Sequence, residues 1–261
     1  VRAVTRYLER PSPNFDARTR PVDLVVLHYT GMQDAETALA RLTDPAPVAG
    51  KYPGPWQSDD APADAPLPKV SAHYVVDESG QIFSLAPEEH RAWHAGASSW
   101  EGEGDVNARA IGIEIVNGGH DFGLPDFPDA QIEAVIQLLR DIFERWPELT
   151  PARVVAHSDV APERKADPGE KFPWKRLADA GVSIWPKDSD VELGRDDDPI
   201  PHLQQQLAIV GYGVRQTGVM DGETRAALIA FQRRFRPADT SGGADDETRR
   251  LVAALARQMT T

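Results

Sequence analysis

Val22-Asp23-Leu24-Val25-Val26-Leu27-His28 is a short, β-branched apolar run that ends on a polar residue. That is the pattern of a buried strand whose last side chain leaves the core. Two further stretches resemble it. Ala110-Ile111-Gly112-Ile113-Glu114-Ile115-Val116 reads as a strand interrupted by one carboxylate, and Val154-Val155-Ala156-His157 as a strand that again ends in histidine. Helical patterns lie between them. Asp34 to Leu42 predicts a helix with Asp34 as N-cap. From Asp129 to Trp146, the residues Ile132, Val135, Ile136, Leu139, Ile142, Phe143 and Trp146 recur at three- and four-residue steps, until Pro147 stops the helix. Trp174 to Ala180 predicts a short helix closed by Gly181. Ser71 to Val76 and Gln81 to Leu85 flank Asp77-Glu78-Ser79-Gly80 and predict a β-hairpin. Strands alternating with helices imply an α/β domain, a mixed central β-sheet flanked by helices.

Outward from that frame, Val1 to Pro21 reads as an extended arm, and Thr43 to Lys69, rich in Pro, Ala, Asp and Gly, as a long surface loop. The domain is expected to end near Pro186. Residues 187–199 carry Asp188, Asp190, Glu192, Asp196, Asp197 and Asp198 with few apolar groups, an acidic linker. From Ile200 to Thr261 three helical patterns are punctuated by Gly211, Gly213, Gly218, Gly222 and Gly242-Gly243, predicting a small C-terminal three-helix domain. At about 60 residues it stands near the lower limit for folding alone.

Composition excludes some partners. Of 261 residues 41% are hydrophobic, enough for a packed core, and the formal net charge of −13 argues against nucleic acid and anionic lipid surfaces. There is no cysteine, so a transition metal would have to sit on imidazole and carboxylate. No apolar run approaches the roughly 18–20 residues of a membrane span, so no transmembrane segment is expected. An export signal is not visible from Val1 onward, and a lipid anchor on a preceding cysteine would not be visible here.

Two strands end in histidine, His28 and His157, and Asp167 follows ten residues after the second. Two imidazoles and a carboxylate form the three-ligand set of a catalytic zinc site with a position left for water. Spacing alone is a weak signal, since a lone histidine is more often structural and no compact zinc motif is present. The loop His157-Ser158-Asp159-Val160-Ala161-Pro162-Glu163-Arg164-Lys165-Ala166-Asp167-Pro168-Gly169 can fold Asp167 back beside His157. This loop, with Leu27-His28-Tyr29-Thr30 and Gly112-Ile113-Glu114-Ile115-Val116-Asn117, closely resembles the N-acetylmuramoyl-L-alanine amidases of the AmpD-like type, the amidase-2 group related to peptidoglycan recognition proteins. The resemblance covers about Val22 to Ala180.

It implies Zn2+ on His28, His157 and Asp167, with Glu114 at the acidic residue that positions or deprotonates the attacking water. Lys165 falls at the cation that steadies the oxyanion. On its own terms Glu114, alone in an apolar strand, is either a carboxylate of raised pKa suited to proton transfer or a brace paired with a cation. Lys165 is either aimed at developing negative charge or a solvated loop lysine. Trp93, His94 and Asn107 belong to a polar-aromatic cluster that in the family lines the substrate groove. Trp93 as core and His94 as a capped polar residue is the competing view. Arg109 could bind a peptide carboxylate.

The segments Leu203-Gln204-Gln205-Gln206-Leu207, Gly211-Tyr212-Gly213, Thr217 to Thr224 and Ala230 to Pro237 resemble the type 1 peptidoglycan-binding domain. Asp221 reads as a helix N-cap, and Leu228, Phe231 and Phe235 as that helix's buried stripe. The expected partner is therefore peptidoglycan or its muropeptides, the reaction hydrolysis of the lactyl–L-alanine amide, and the compartment the bacterial periplasm or cell envelope. A non-catalytic peptidoglycan-binding protein is the alternative, disfavoured by the complete ligand set. A glycosidase with paired carboxylates comes last, because no two share a motif. Removing everything after Lys187 is expected to spare cleavage of small muropeptides. Anhydro-sugar preference, stem-peptide specificity and oligomeric state are left open.

Overall fold

A computed structural model describes residues 7–52, 62–187 and 199–260. The acidic stretch of the linker, 188–198, lies outside the described residues, as do 1–6 of the N-terminal arm and 53–61 of the long loop. The strands are β1 (Tyr7–Glu9), β2 (Phe15–Ala17), β3 (Leu24–Tyr29), β4 (Tyr74–Val76), β5 (Ile82–Ser84), β6 (His90–Ala92), β7 (Ser99–Trp100), β8 (Glu103–Gly104), β9 (Ala110–Ile115) and β10 (Val154–Ala156). Six of them form the central sheet in the order β1-β5-β4-β9-β3-β10. Only β4 and β5 are antiparallel, so the sheet is mixed, as expected from the alternation of strands and helices. The helices are α1 (Ala35–Thr43), α2 (Asp129–Arg145), α3 (His157–Val160), α4 (Trp174–Asp179), α5 (Pro199–Val210), α6 (Gly222–Phe235) and α7 (Asp246–Thr260).

Period-two alternation along the parallel strands explains both faces of the sheet. Val25, Leu27, Ile111, Ile113, Ile115 and Val154 point to one side and pack under the α2 stripe of Ile132, Val135, Ile136, Leu139 and Ile142. Leu24, Val26, Ala110 and Val155 point to the other. The same alternation carries the row Leu24-Val26 on to His28, and Ala110-Gly112 on to Glu114. His28 and Glu114 are direct register partners between β3 and β9. Both lie at the carboxyl ends of parallel strands, where open α/β sheets bind their ligands.

The local signals act as read. Asp34 accepts from the Thr37 amide at 2.8 Å and Asp221 from the Thr224 amide at 2.8 Å. The β4–β5 turn is held by Asp77, which accepts from the Ser79 and Gln81 amides at 2.9 and 2.8 Å. Gly80 is required there: its φ is +85°, and a Cβ would stand 2.6 Å from the Ala130 carbonyl oxygen. The N-terminal arm is not merely extended, because Tyr7–Glu9 adds an edge strand parallel to β5.

The C-terminal helices do not stand apart. Leu203 and Leu207 of α5, Phe231 of α6 and Leu255 of α7 share one buried cluster with Leu24, Val26, Val155 and Val160 of the sheet domain. A sequence read for periodicity shows that α6 has an apolar stripe, but not that part of this stripe covers the open face of a neighbouring sheet. Among the described residues no helix is long and apolar enough to cross a membrane.

Candidate metal centre and active-site groove

His28 ends the buried part of β3, and His157 opens the one-turn helix α3 directly after β10. The following loop returns Asp167 beside them, its carbonyl accepting from the Ser158 amide at 2.9 Å. The three side chains are buried, and their donor atoms converge: His28 Nδ1 is 2.8 Å from His157 Nδ1 and 3.1 Å from Asp167 Oδ2, and His157 Nδ1 is 2.9 Å from Asp167 Oδ2.

The outer nitrogens fix which atoms face inward. His157 Nε2 lies 3.1 Å from the Ala95 carbonyl, which can only accept, so Nε2 carries the proton and Nδ1 keeps its lone pair. His28 Nε2 lies 3.0 Å from His94 Nδ1. With His28 Nδ1 turned to the centre, Nε2 donates to His94. Two imidazole lone pairs and a carboxylate oxygen about 3 Å apart repel one another unless a cation or a proton lies between them. This donor set fits a metal with nitrogen and oxygen ligands, and such outer hydrogen bonds are how ligating histidines are held. Burial, then the neighbouring His157, lowers the pKa of His28 to about 4, so its imidazole is neutral and able to ligate at pH 7. Burial alone would raise Asp167, but His157 and His28 outweigh it and hold the carboxyl well below the usual range.

Glu114 lines the same groove, a cleft of about 490 Å³ that also includes Tyr29, Arg164 and Lys165. Burial, and next the Asp167 charge, raise its pKa well above the ordinary glutamate value, with Lys165 opposing. Its Oε2 is enclosed and has no hydrogen-bond partner among the described residues. The bracing reading, in which Glu114 pairs with a cation, is not what the geometry gives. Lys165 forms no ion pair among the described residues. It is only partly buried and stands in the groove through a turn closed by its amide on the Ala161 carbonyl at 2.9 Å.

Of the four residues expected to contact substrate, His94 alone reaches the groove. His94 is buried behind His28 and orients it, although one edge reaches the groove. Asn107 is also buried, its Oδ1 accepting from the His94 and Ala95 amides at 3.1 and 2.8 Å. It shapes the backbone that receives His157 and is not a groove residue. Arg109 is held by Asp23 at 2.6 Å, with Glu101 and Glu103 at 3.2 and 3.3 Å, and has no free face for a peptide carboxylate. Trp93 lies outside the groove, its indole donating to Asp16 at 3.2 Å.

Tyr29, Arg164 and His120 carry no role legible in the sequence. The Tyr29 hydroxyl is 3.1 Å from His120 Nδ1, and His120 Nε2 is 3.0 Å from Glu170, a chain along the groove wall. Arg164 donates to the Ala95 and Ala97 carbonyls at 2.7 and 2.6 Å. His120 sits 91 positions from Tyr29, and no local pattern marks that pairing.

Residues 18–170 match the family model described as N-acetylmuramoyl-L-alanine amidase, and residues 196–252 the model described as putative peptidoglycan binding domain. The chain is 36% identical over 256 residues to the N-acetylmuramoyl-L-alanine amidase AmiD of Escherichia coli, covering 90% of this chain and 82% of that one. It is 33% identical over 169 residues to the 1,6-anhydro-N-acetylmuramyl-L-alanine amidase AmpD of Haemophilus influenzae, covering 63% of this chain and 86% of that one. Among solved structures, the complex of Escherichia coli AmiD with anhydro-N-acetylmuramic acid-L-Ala-D-gamma-Glu-L-Lys superposes with a TM-score of 0.74 at 33% identity, over 93% of this chain and 92% of that one. AmpDh3 from Pseudomonas aeruginosa gives 0.73 at 32% identity, over 100% and 97%. The family match, the shared fold and the convergent donor set lead to one conclusion: the chain belongs to the N-acetylmuramoyl-L-alanine amidase family.

Proposed function

We propose that this protein hydrolyses the amide bond between the lactyl group of N-acetylmuramic acid and L-alanine, in peptidoglycan or its muropeptide fragments, with zinc held by His28, His157 and Asp167. The observation that carries the proposal is the convergence of two imidazole Nδ1 atoms and one carboxylate oxygen at 2.8–3.1 Å, beside a glutamate whose proton affinity is raised. Zinc held there would supply a Lewis acid that polarises the scissile carbonyl and makes water more acidic.

The chain's own groups do the rest. Glu114 accepts one proton from the attacking water at its carboxylate and returns it to the departing L-alanine nitrogen as the carbon–nitrogen bond breaks. Its raised pKa suits both transfers, since a base matched to working pH is also a competent acid. Lys165 faces the groove where negative charge develops on the carbonyl oxygen, and a fixed cation stabilises that charge without reorganisation. The balance is one amide and one water consumed, one carboxylic acid and one amine formed, which at neutral pH stand as carboxylate and ammonium.

We assign the chemistry to residues 1–186 and wall attachment to 200–261, and place the reaction in the periplasm or cell envelope. The likeness of 196–252 to a peptidoglycan-binding model supports the second part. Mass spectrometry of anhydromuramoyl-tripeptide incubated with the protein should show release of the intact stem peptide. Glu114→Gln should retain metal and lose about 10²–10⁴-fold in rate. A near-wild-type rate for that variant would remove Glu114 from the chemistry.

A further inference from the structure

The carboxylate of Asp159 is completely buried, and it stands two residues after His157. Its Oδ2 accepts from the Ala156 amide at 2.8 Å, closing a tight loop over His157 and Ser158. The charge is then completed from outside the sheet domain. Arg234 of α6 donates to Oδ2 at 2.7 Å, and the Tyr212 hydroxyl to Oδ1 at 2.7 Å. The same guanidinium donates to the Val154 carbonyl at 2.8 Å, so it ties the first residue of β10 to the α3 carboxylate just beyond the strand. Arg234 is itself 3% exposed and lies 4.3 Å over the Trp174 ring.

We propose that the C-terminal helical module is a positioning element of the metal centre, acting through Arg234 and Tyr212 on the Asp159 carboxylate that fixes the turn carrying His157. This rests on the metal-centre reading given under Proposed function. The physical reason is that a buried carboxylate without its cation must draw in water or move, and either response disturbs the turn. Asp159 can move only by releasing the Ala156 amide, immediately before His157. Arg234 and Tyr212 are thus positioning residues that touch neither metal nor substrate, and the module has a role in the centre in addition to any hold on the wall.

The test is zinc affinity in the full-length protein, by competition with a chromogenic chelator under conditions where near-UV circular dichroism shows each variant folded. Arg234→Met should weaken zinc binding on the order of 10–100-fold, the range for outer-shell supports of a metal ligand. Tyr212→Phe, which removes one hydroxyl, should weaken it less but measurably. Adding Asp159→Asn to Arg234→Met should restore part of the loss, because the unpaired charge is gone. Gln232→Ala is the control. It removes hydrogen bonds to Thr248 and the Gly243 carbonyl within the module without touching Asp159. Unchanged affinity in the Arg234 and Tyr212 variants, or an equal loss in Gln232→Ala, would overturn the inference. If Arg234→Met does not fold, Tyr212→Phe decides. A wild-type protein that binds no zinc would instead sink the metal-centre reading itself.

Discussion

Gly112→Ala is the smallest change that should reach the centre without touching a ligand. Gly112 lies in β9 with paired strands on both sides. Its amide donates to His73 Nδ1 at 2.9 Å and its carbonyl accepts from the His73 amide at 3.0 Å, so the backbone has no room to yield. A Cβ built there would meet His94 Cδ2 and Cγ at 2.5 Å and Nδ1 at 2.8 Å. Ordinary contact needs about 3.5–4.0 Å, so the His94 ring has to retreat by roughly 1 Å. His94 Nδ1 is the acceptor for His28 Nε2, and that retreat breaks the bond that aims His28. Overpacking of this kind costs about 1–3 kcal/mol of stability. Loss of the outer partner of a metal ligand costs about 10–100-fold in affinity. Urea unfolding measures the first and chelator competition the second. A folded Gly112→Ala protein with wild-type zinc affinity would refute the claim that His94 holds His28 in place.

Three further outcomes follow from the same geometry. With Glu114 as base in its deprotonated form, kcat/KM should fall as pH drops through a midpoint above the ordinary glutamate range, and Lys165→Met should move that midpoint higher, because Lys165 holds it down. An unmoved acid limb in Lys165→Met would separate the two groups. Removal of residues after Lys187, expected from sequence to spare small substrates, should instead leave Leu24, Val26, Val155 and Val160 without cover. At about 1.5–3 kcal/mol for each fully buried side chain the loss approaches the whole stability of a domain, so the truncated chain should melt far below the full one. A native melting profile with full muropeptide cleavage would contradict this. Finally, burial lowers the His73 pKa from 6.5 to about 4. The unfolded chain takes up that proton first, so this contribution is fully present above pH 6.5 and is lost as pH falls toward 4. The loss reaches about 3 kcal/mol, readable as the difference in urea midpoints between wild type and His73→Asn at pH 7.5 and pH 4.5.

Much of the site was legible because it is local. His28, Glu114 and His157 each stand at or near the end of an apolar run, and a polar residue there leaves the core at the edge where parallel strands open. Asp167 became legible through the loop that follows His157 and through the family likeness, not through spacing. What escaped depends on pairings distant in sequence. Arg109 looked free because its shortest ion pair is with Asp23, 86 residues away. Asn107 looked like a groove residue because an asparagine that braces a turn and one that binds a peptide have the same local sequence. The merging of the C-terminal helices with the sheet was invisible for the same reason. No local signal pairs Arg234 with Asp159, 75 residues away.

The dependence of muramoyl–L-alanine cleavage on zinc held by His28, His157 and Asp167 is the proposal on which the other roles rest. It is tested most directly by measuring metal content and stem-peptide release on the same sample before chelation, after it, and after stoichiometric zinc is returned. One zinc per chain is expected, with loss of both zinc and cleavage on adding chelator and recovery of both when zinc is returned. Cleavage that persists in fully metal-free protein would contradict it.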